Sequence, residues 1–413
     1  MTTKNISYGV VAAAVTGLLA STVIAISQPA LAAPPNPVGH ASVTGTAGSR
    51  TDGHASAART ARSRAVGHAS AARTARSRAV VPGENGLIAL RPDGKVLATV
   101  SKGAVRLWNA ATGRPSGPPL AGYAGAVRTI MYSSDGKLLA VAGDREVSLW
   151  DPATGKRSGP PLTGHDGAVR SVAFTKAGDL LATAGDDATI RLWDPATGRA
   201  LRTLRGHAGA IGSVVFSPDG KRLASSGADN TVRLWETGTG RPIGEPLIVG
   251  AAPIYAMSFS PDGKLLAASG GGNLVRLWNP ATGKPAGEPI TTSTGPVYAL
   301  TFSRHGKLLA TSSGGDNSVQ LWNTATRRAA TAPLTGHSGP VRAMRFSRNG
   351  KVLATGSDDG TARLWDPATG SPEGKPLTGH TGPIWALRIS RNGKRLITAG
   401  ADDKVRLWHI TAE

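Results

Sequence analysis

The chain contains no cysteine. Disulfides and lipid attachment through a cysteine are excluded, so stability must come from packing alone. It also lacks a long uninterrupted apolar run. The best candidate, 10–26, is broken by Thr16, Ser21 and Thr22 and falls short of the ~20 residues a spanning helix needs. With Lys4 before it and Ala30-Leu31-Ala32 after it, the segment reads as an export signal, residues 1–32, cleaved after Ala32. The alternative is an uncleaved membrane anchor through residues 10–26. Signal cleavage predicts an extracytoplasmic product, secreted or envelope-associated, that is not an integral membrane protein.

Acids are scarce: 26 Asp and Glu stand against 47 Lys and Arg, a net charge of +21. Large apolar residues are scarce in one place, from Ala33 to about Val80. A segment of Ala, Ser, Gly, Arg and Pro cannot bury enough surface to offset ordering entropy, so 33–77 is expected to be a disordered linker. It contains a perfect 14-residue duplication, GHASAARTARSRAV at Gly53–Val66 and again at Gly67–Val80. Arg50, Arg59, Arg62, Arg64, Arg73, Arg76 and Arg78 face the single acid Asp52. Such an arm suits an anionic polymer or surface; a solvated spacer enlarged by duplication is the plainer reading.

What is abundant after residue 80 is repetition. Tryptophan recurs at Trp108, Trp150, Trp193, Trp235, Trp278, Trp322, Trp365 and Trp408, at intervals of 42 to 44 residues. A period of that size signals stacked or radially arrayed units. In the unit Leu162–Gly198, three β-rich runs are visible at Val169–Phe174, Leu180–Ala184 and Ile190–Trp193. The first two are joined by a turn written Ser-Pro-Asp-Gly at Ser217–Gly220 and Ser260–Gly263, with Pro set for a turn and Gly free to take positive φ. After the tryptophan comes Asp194-Pro195-Ala196-Thr197-Gly198, a second reversal, and then a fourth strand, Ala200–Leu204. Four short antiparallel strands per unit predict an all-β propeller blade.

These residues resemble the WD-repeat (WD40) β-propeller family from about Val80 to Trp408. In that family each blade joins a Gly-His pair, a turn Asp six residues before the tryptophan, and a strand hydroxyl in one hydrogen-bonded network. The resemblance implies complete networks at His165, Asp187 and Trp193; His207, Asp229 and Trp235; His337, Asp359 and Trp365; and His380, Asp402 and Trp408. Tyr123 replaces the histidine while Asp144 remains, Asp316 stands without one, and the copies ending at Trp278 and Trp108 lack both residues. Those blades are expected to be looser. Eight tryptophans predict eight blades over 78–413, with seven blades plus one irregular unit as the alternative. The chain ends five residues after Trp408, so Arg78–Val81 is expected to supply the last blade's outer strand and clasp the termini.

No constellation for chemistry is legible. Four histidines occupy the Gly-His positions, no cluster has metal-ligand spacing, and no Gly-x-Ser-x-Gly or complete phosphate loop occurs. The Asp-Asp pairs at Asp186-Asp187, Asp358-Asp359 and Asp402-Asp403 each contain one turn aspartate. The expectation is therefore no enzyme, no cofactor and no metal; an extracellular propeller hydrolase would need acid-base groups converging on the channel. Repeat-encoded cations such as Arg191 and Arg363, two residues before the tryptophan, predict general attraction to acidic partners.

Positions that depart from the repeat carry more information. In the family, the residue after the first strand's opening Val or Ile lies near the rim of the central channel, where ligands often dock. Here it reads Arg128, Arg170, Gly212, Tyr255, Tyr298, Arg342 and Trp385. Arg, Tyr and Trp dominate binding hot spots, so these six side chains are the candidate binding site for a peptide or acidic segment of another protein. The competing reading has the aromatics filling the channel and the arginines paired with turn acids such as Asp186 and Asp358. A carbohydrate or anionic-polymer adhesion module working through the basic arm is the alternative function, and export disfavours nucleic acid as a partner.

Overall fold

The computed structural model describes residues 10–13, 21–26, 73–123, 125–390 and 392–412. The rest of the expected signal segment, the expected cleavage position, most of the expected linker and the first copy of the duplication lie outside the described residues. Every described element is a strand, and no helix among the described residues is long and apolar enough to cross a membrane.

The repeats form eight antiparallel sheets. In the third, the strands Val169–Phe174, Leu181–Gly185, Thr189–Trp193 and Ala200–Arg205 pair in sequence order. The turn chemistry read from sequence closes the first hairpin of each blade. In the fourth blade, Ser217 Oγ donates to Asp219, Asp219 accepts from Lys221 N at 3.1 Å, and Gly220 N donates to Ser217 O at φ +71. The side chains of each strand alternate toward the two neighbouring blades. Eight apolar clusters result, and each joins one blade to the next. One cluster packs Ala173, Leu192 and Leu204 of the third blade on Ile211, Phe216 and Trp235 of the fourth. The cluster that joins Ala386, Ile397 and Leu407 of the eighth blade to Ile88, Leu97 and Trp108 of the first closes the ring.

The eighth blade is completed from the other end of the chain. Strand Arg73–Pro82 pairs antiparallel with Lys404–Ala412, from Arg73↔Ala412 to Pro82↔Lys404. The clasp expected at Arg78–Val81 therefore starts five residues earlier, inside the stretch read as linker. Val81 is buried in the closing cluster, and Arg73 Nη1 meets the buried Glu373 of the seventh blade at 2.7 Å. Residues 73–80 of the second copy of the duplication are thus part of a structural strand, and Arg73, Arg76 and Arg78 belong to the propeller rather than to a basic arm.

Within the segment read from sequence as an export signal, the backbone of Val10–Ala13 pairs with Ser21–Ile26, and the latter pairs with the inner strand of the fifth blade, Ile254–Phe259, at Ala256↔Val23.

Candidate functional site

The four complete networks take the form that the motif implies. In the third blade His165 Nδ1 lies 2.8 Å from Asp187 Oδ2 and Nε2 lies 2.7 Å from Thr183 Oγ1, which accepts from Trp193 Nε1 at 2.9 Å. Asp187 also accepts from Asp166 N and Thr189 N, so one carboxylate ties two loops to a buried indole. The same relay runs through Ser225 to Trp235, Thr355 to Trp365 and Thr398 to Trp408. Burial pushes the pKa of His165, His207 and His380 below the ordinary histidine value despite the aspartate beside each. Asp187, Asp359 and Asp402 are held below the carboxylate range and Asp229 is lowered to about 2; burial opposes this, and the histidine and backbone hydrogen bonds outweigh it. The neutral tautomer that donates from Nδ1 to the carboxylate leaves Nε2 to accept from the hydroxyl. These groups hold the blade together.

The blades that lack the motif are repaired differently. Ser293 stands where the sixth blade lacks histidine and donates to Asp316 at 2.6 Å. Tyr123 Oη donates to Gly103 O and accepts from Val105 N, both in the first blade. Asp144 is a correction. Its turn is one residue shorter than in the third blade, so it takes the place of Asp186, not Asp187, and receives Arg128. The repeat arginines also have a local role. Arg363 Nη2 donates to Gly336 O at 2.6 Å, and Arg191 and Arg406 reach Gly164 O and Gly379 O. These guanidiniums lock the Gly-His turn.

At the rim, Arg128 Nη2 contacts Asp144 at 3.0 Å, Arg170 makes a bidentate pair with Asp186 at 2.6 and 2.8 Å, and Arg342 Nη2 reaches Asp358 at 2.7 Å. The arginines therefore carry the turn acids that the competing reading assigned to them, which removes the case for a purely anionic ligand. Burial alone would lower the Arg342 pKa, but Asp358 holds it above the ordinary value. Tyr255 and Tyr298 stack with ring centroids 5.3 Å apart, and the Arg342 guanidinium lies 3.8 Å from the Tyr298 ring centroid. Tyr255 is buried, whereas Tyr298, Arg342 and Trp385 are half-exposed.

The turn facing each rim residue co-varies with it within the chain. Asp144, Asp186 and Asp358 face arginines, whereas Gly271 and Gly314 accompany Tyr255 and Tyr298. A Cβ at Gly314 would stand 2.8 Å from the Tyr298 ring, and one at Gly271 3.5 Å from Tyr255 Oη. These positions thus carry ion pairs on the second, third and seventh blades and stacked tyrosines on the fifth and sixth, capped by Arg342 of the seventh, with Trp385 in the eighth.

Two site residues were missed by sequence reasoning. Arg345 and Arg388 lie on the inner strands of the seventh and eighth blades, where the third and fourth carry Ala173 and Val215. Burial lowers the Arg345 pKa to about 10 and, with Arg345 nearby, the Arg388 pKa to about 9. A charge at a position that is apolar in sister copies was the available signal. Among the described residues no group of three His, Cys, Asp or Glu side chains gathers as a metal site.

The model of the WD domain, G-beta repeat, matches seven segments: 117–151, 157–194, 198–236, 244–279, 287–323, 329–366 and 371–409. The chain belongs to the WD40 family. The one blade of this WD40 propeller outside those segments is the degenerate first copy, Leu87 to Trp108, which packs in the ring without matching the family model. WD40 propellers in general serve as non-catalytic scaffolds for protein interaction. No curated protein matches the sequence. Among solved structures, the computationally designed Ika8 protein (crystal packing No.1 in P63) is similar in fold, with a TM-score of 0.70 at 23% identity, over 81% of this chain and 99% of that one.

Proposed function

We propose that this WD40 propeller holds a peptide segment of another protein against the arc formed by Tyr255, Tyr298, Arg342 and Trp385. The observation that carries this reading is the continuous stack of Tyr255, Tyr298 and Arg342 across three blades, built where Gly271 and Gly314 leave room for the rings. Stacked rings on a rigid ring of blades present contact area at little ordering cost. Because Arg342 is shared with Asp358, an apolar or aromatic residue of the partner is recognised by stacking, and a partner carboxylate competes with Asp358 for the guanidinium. The test is affinity capture with the full chain and with a Tyr298→Ser/Trp385→Ser variant of equal Tm. The reading expects one partner to be retained by the native ring and lost by the variant; identical captures overturn it.

We further infer that the propeller works outside the cytoplasm. Lys4, the apolar stretch 10–26 and Ala30-Leu31-Ala32 support export with removal of residues 1–32. Mass spectrometry of the protein recovered from culture fluid and envelope is expected to find an N-terminus at Ala33; an intact Met1 in both fractions excludes cleavage.

A further inference from the structure

The outer edge of six of the eight blades is guarded by one recurring residue. Pro119, Pro161, Pro246, Pro289, Pro333 and Pro376 each stand immediately before the buried Leu or Ile of the outer strand. That apolar residue turns its backbone inward: Leu120 N, Leu162 N, Leu334 N and Leu377 N donate to Val105, Val147, Val319 and Ala362. By alternation, the residue before it points its N–H outward, and proline there leaves the edge without a donor. In these six blades the fourth strand is reduced to two-residue pairs or isolated bridges.

The third blade departs from this pattern. Thr203 stands before the buried Leu204, and Ala200–Arg205 is a six-residue strand paired from Thr189↔Arg205 to Trp193↔Ala200, in regular register over Arg202–Arg205 with a shift only at its start, between Ala200 and Arg202. Thr203 therefore keeps the outward N–H that six sister blades lack. The edge is exposed at Arg199, Leu201, Arg202, Thr203 and Arg205, and Leu201 is one of three exposed large hydrophobics among the described residues. The eighth blade's outer strand is also free of proline before Val81, but its register shift falls midway, between Ser77 and Ala79, where that of the third blade falls at the strand's start, and a bulge in mid-strand bends the edge away from pairing.

We propose that the outer strand of the third blade is a docking edge for an extended acidic segment of another protein, added as a fifth antiparallel strand. Main-chain groups of Thr203 and Arg205 supply the ladder, Leu201 offers an apolar contact, and Arg199, Arg202 and Arg205 choose the charge. No acid lies on the strand itself. A second copy of the chain would set arginines against arginines, and like charges directly opposite are destabilising. The chain's own segment Gly53–Val66, with Arg59, Arg62 and Arg64, meets the same objection.

The probe is a fluorescein-labelled heptapeptide of alternating Glu and Val, titrated against the full chain by anisotropy. The native chain is expected to bind it, and Thr203→Pro, which writes the sister blades' residue into the third, is expected to weaken binding by about tenfold or more at unchanged Tm. Arg205→Glu leaves the backbone intact and is expected to weaken it too, whereas Val80→Pro in the eighth blade leaves it unchanged. Equal binding by Thr203→Pro, no binding by the native chain, or equal binding of a Lys-Val heptapeptide each overturns the proposal. So does sedimentation that shows a dimer abolished by Thr203→Pro, which would give the edge to a second copy.

Discussion

The indole of each repeat does different work according to the hydroxyl beneath it. Trp193 Nε1 donates to Thr183, which joins it to His165 and Asp187. In the second blade the corresponding partner across the hairpin is Val141, and Trp150 Nε1 has no hydrogen-bond partner among the described residues. Trp150 is held instead by packing and by Arg157, whose guanidinium lies 5.5 Å from its ring centroid. Replacing either tryptophan by Phe loses comparable apolar contact, but only Trp193→Phe leaves a buried hydroxyl short of a donor. Trp193→Phe should therefore cost about 1 kcal/mol more than Trp150→Phe, read as the difference in urea midpoints at equal m. Equal costs would mean that the relay adds nothing beyond packing.

At the scale of the strand, most of the organisation was legible because the repeat is written in turn residues. Ser-Pro-Asp-Gly and Asp-Pro-Ala-Thr-Gly fix both reversals of a blade, and the missing strand after Trp408 implied a donor near Arg78. The extent of that donor was not legible. Arg73–Ser77 has no apolar alternation, and it becomes a strand only because Trp408–Ala412 continues opposite it. The role of Asp144 failed for a related reason, since a turn shortened by one residue shifts the match without changing the letters. Which rim residues touch was also hidden, because stacking between Tyr255 and Tyr298 joins positions 43 residues apart. The clasp makes a direct prediction. A chain starting at Asn85 loses the outer strand and the burial of Val81, worth about 2 kcal/mol by itself, and should melt several degrees below the chain that starts at Ala33. Identical melting temperatures in calorimetry would show that the eighth blade stands without its outer strand.

Across the whole ring the networks are unevenly placed: the third, fourth, seventh and eighth blades carry a His-Asp pair, and the first, second, fifth and sixth do not. This gives the propeller a two-stage response to acid. His165, His207 and His380 have folded pKa values below the ordinary ~6.5. Between their folded values and ~6.5 the unfolded chain binds more protons than the folded one, so stability rises with pH there and is lost as pH falls below about 7. Asp187, Asp229, Asp359 and Asp402 are depressed below the ordinary ~3.9. Their contribution is present above that value and is lost as pH falls further, for Asp229 down to about 2. Hydrogen exchange at pH 5 against pH 7, corrected for intrinsic rates, should therefore show protection falling first in Val169–Arg205, Ile211–Glu236 and Ile384–Ala412, with the fifth and sixth blades following only through their neighbours. Because each blade shares an apolar cluster with the next, loosening of the eighth blade is expected to reach the first, whose contact with it includes the clasp. A uniform loss across all eight blades would mean that the ring opens as one unit and that its proton-sensitive pairs set only the pH of opening, not the place.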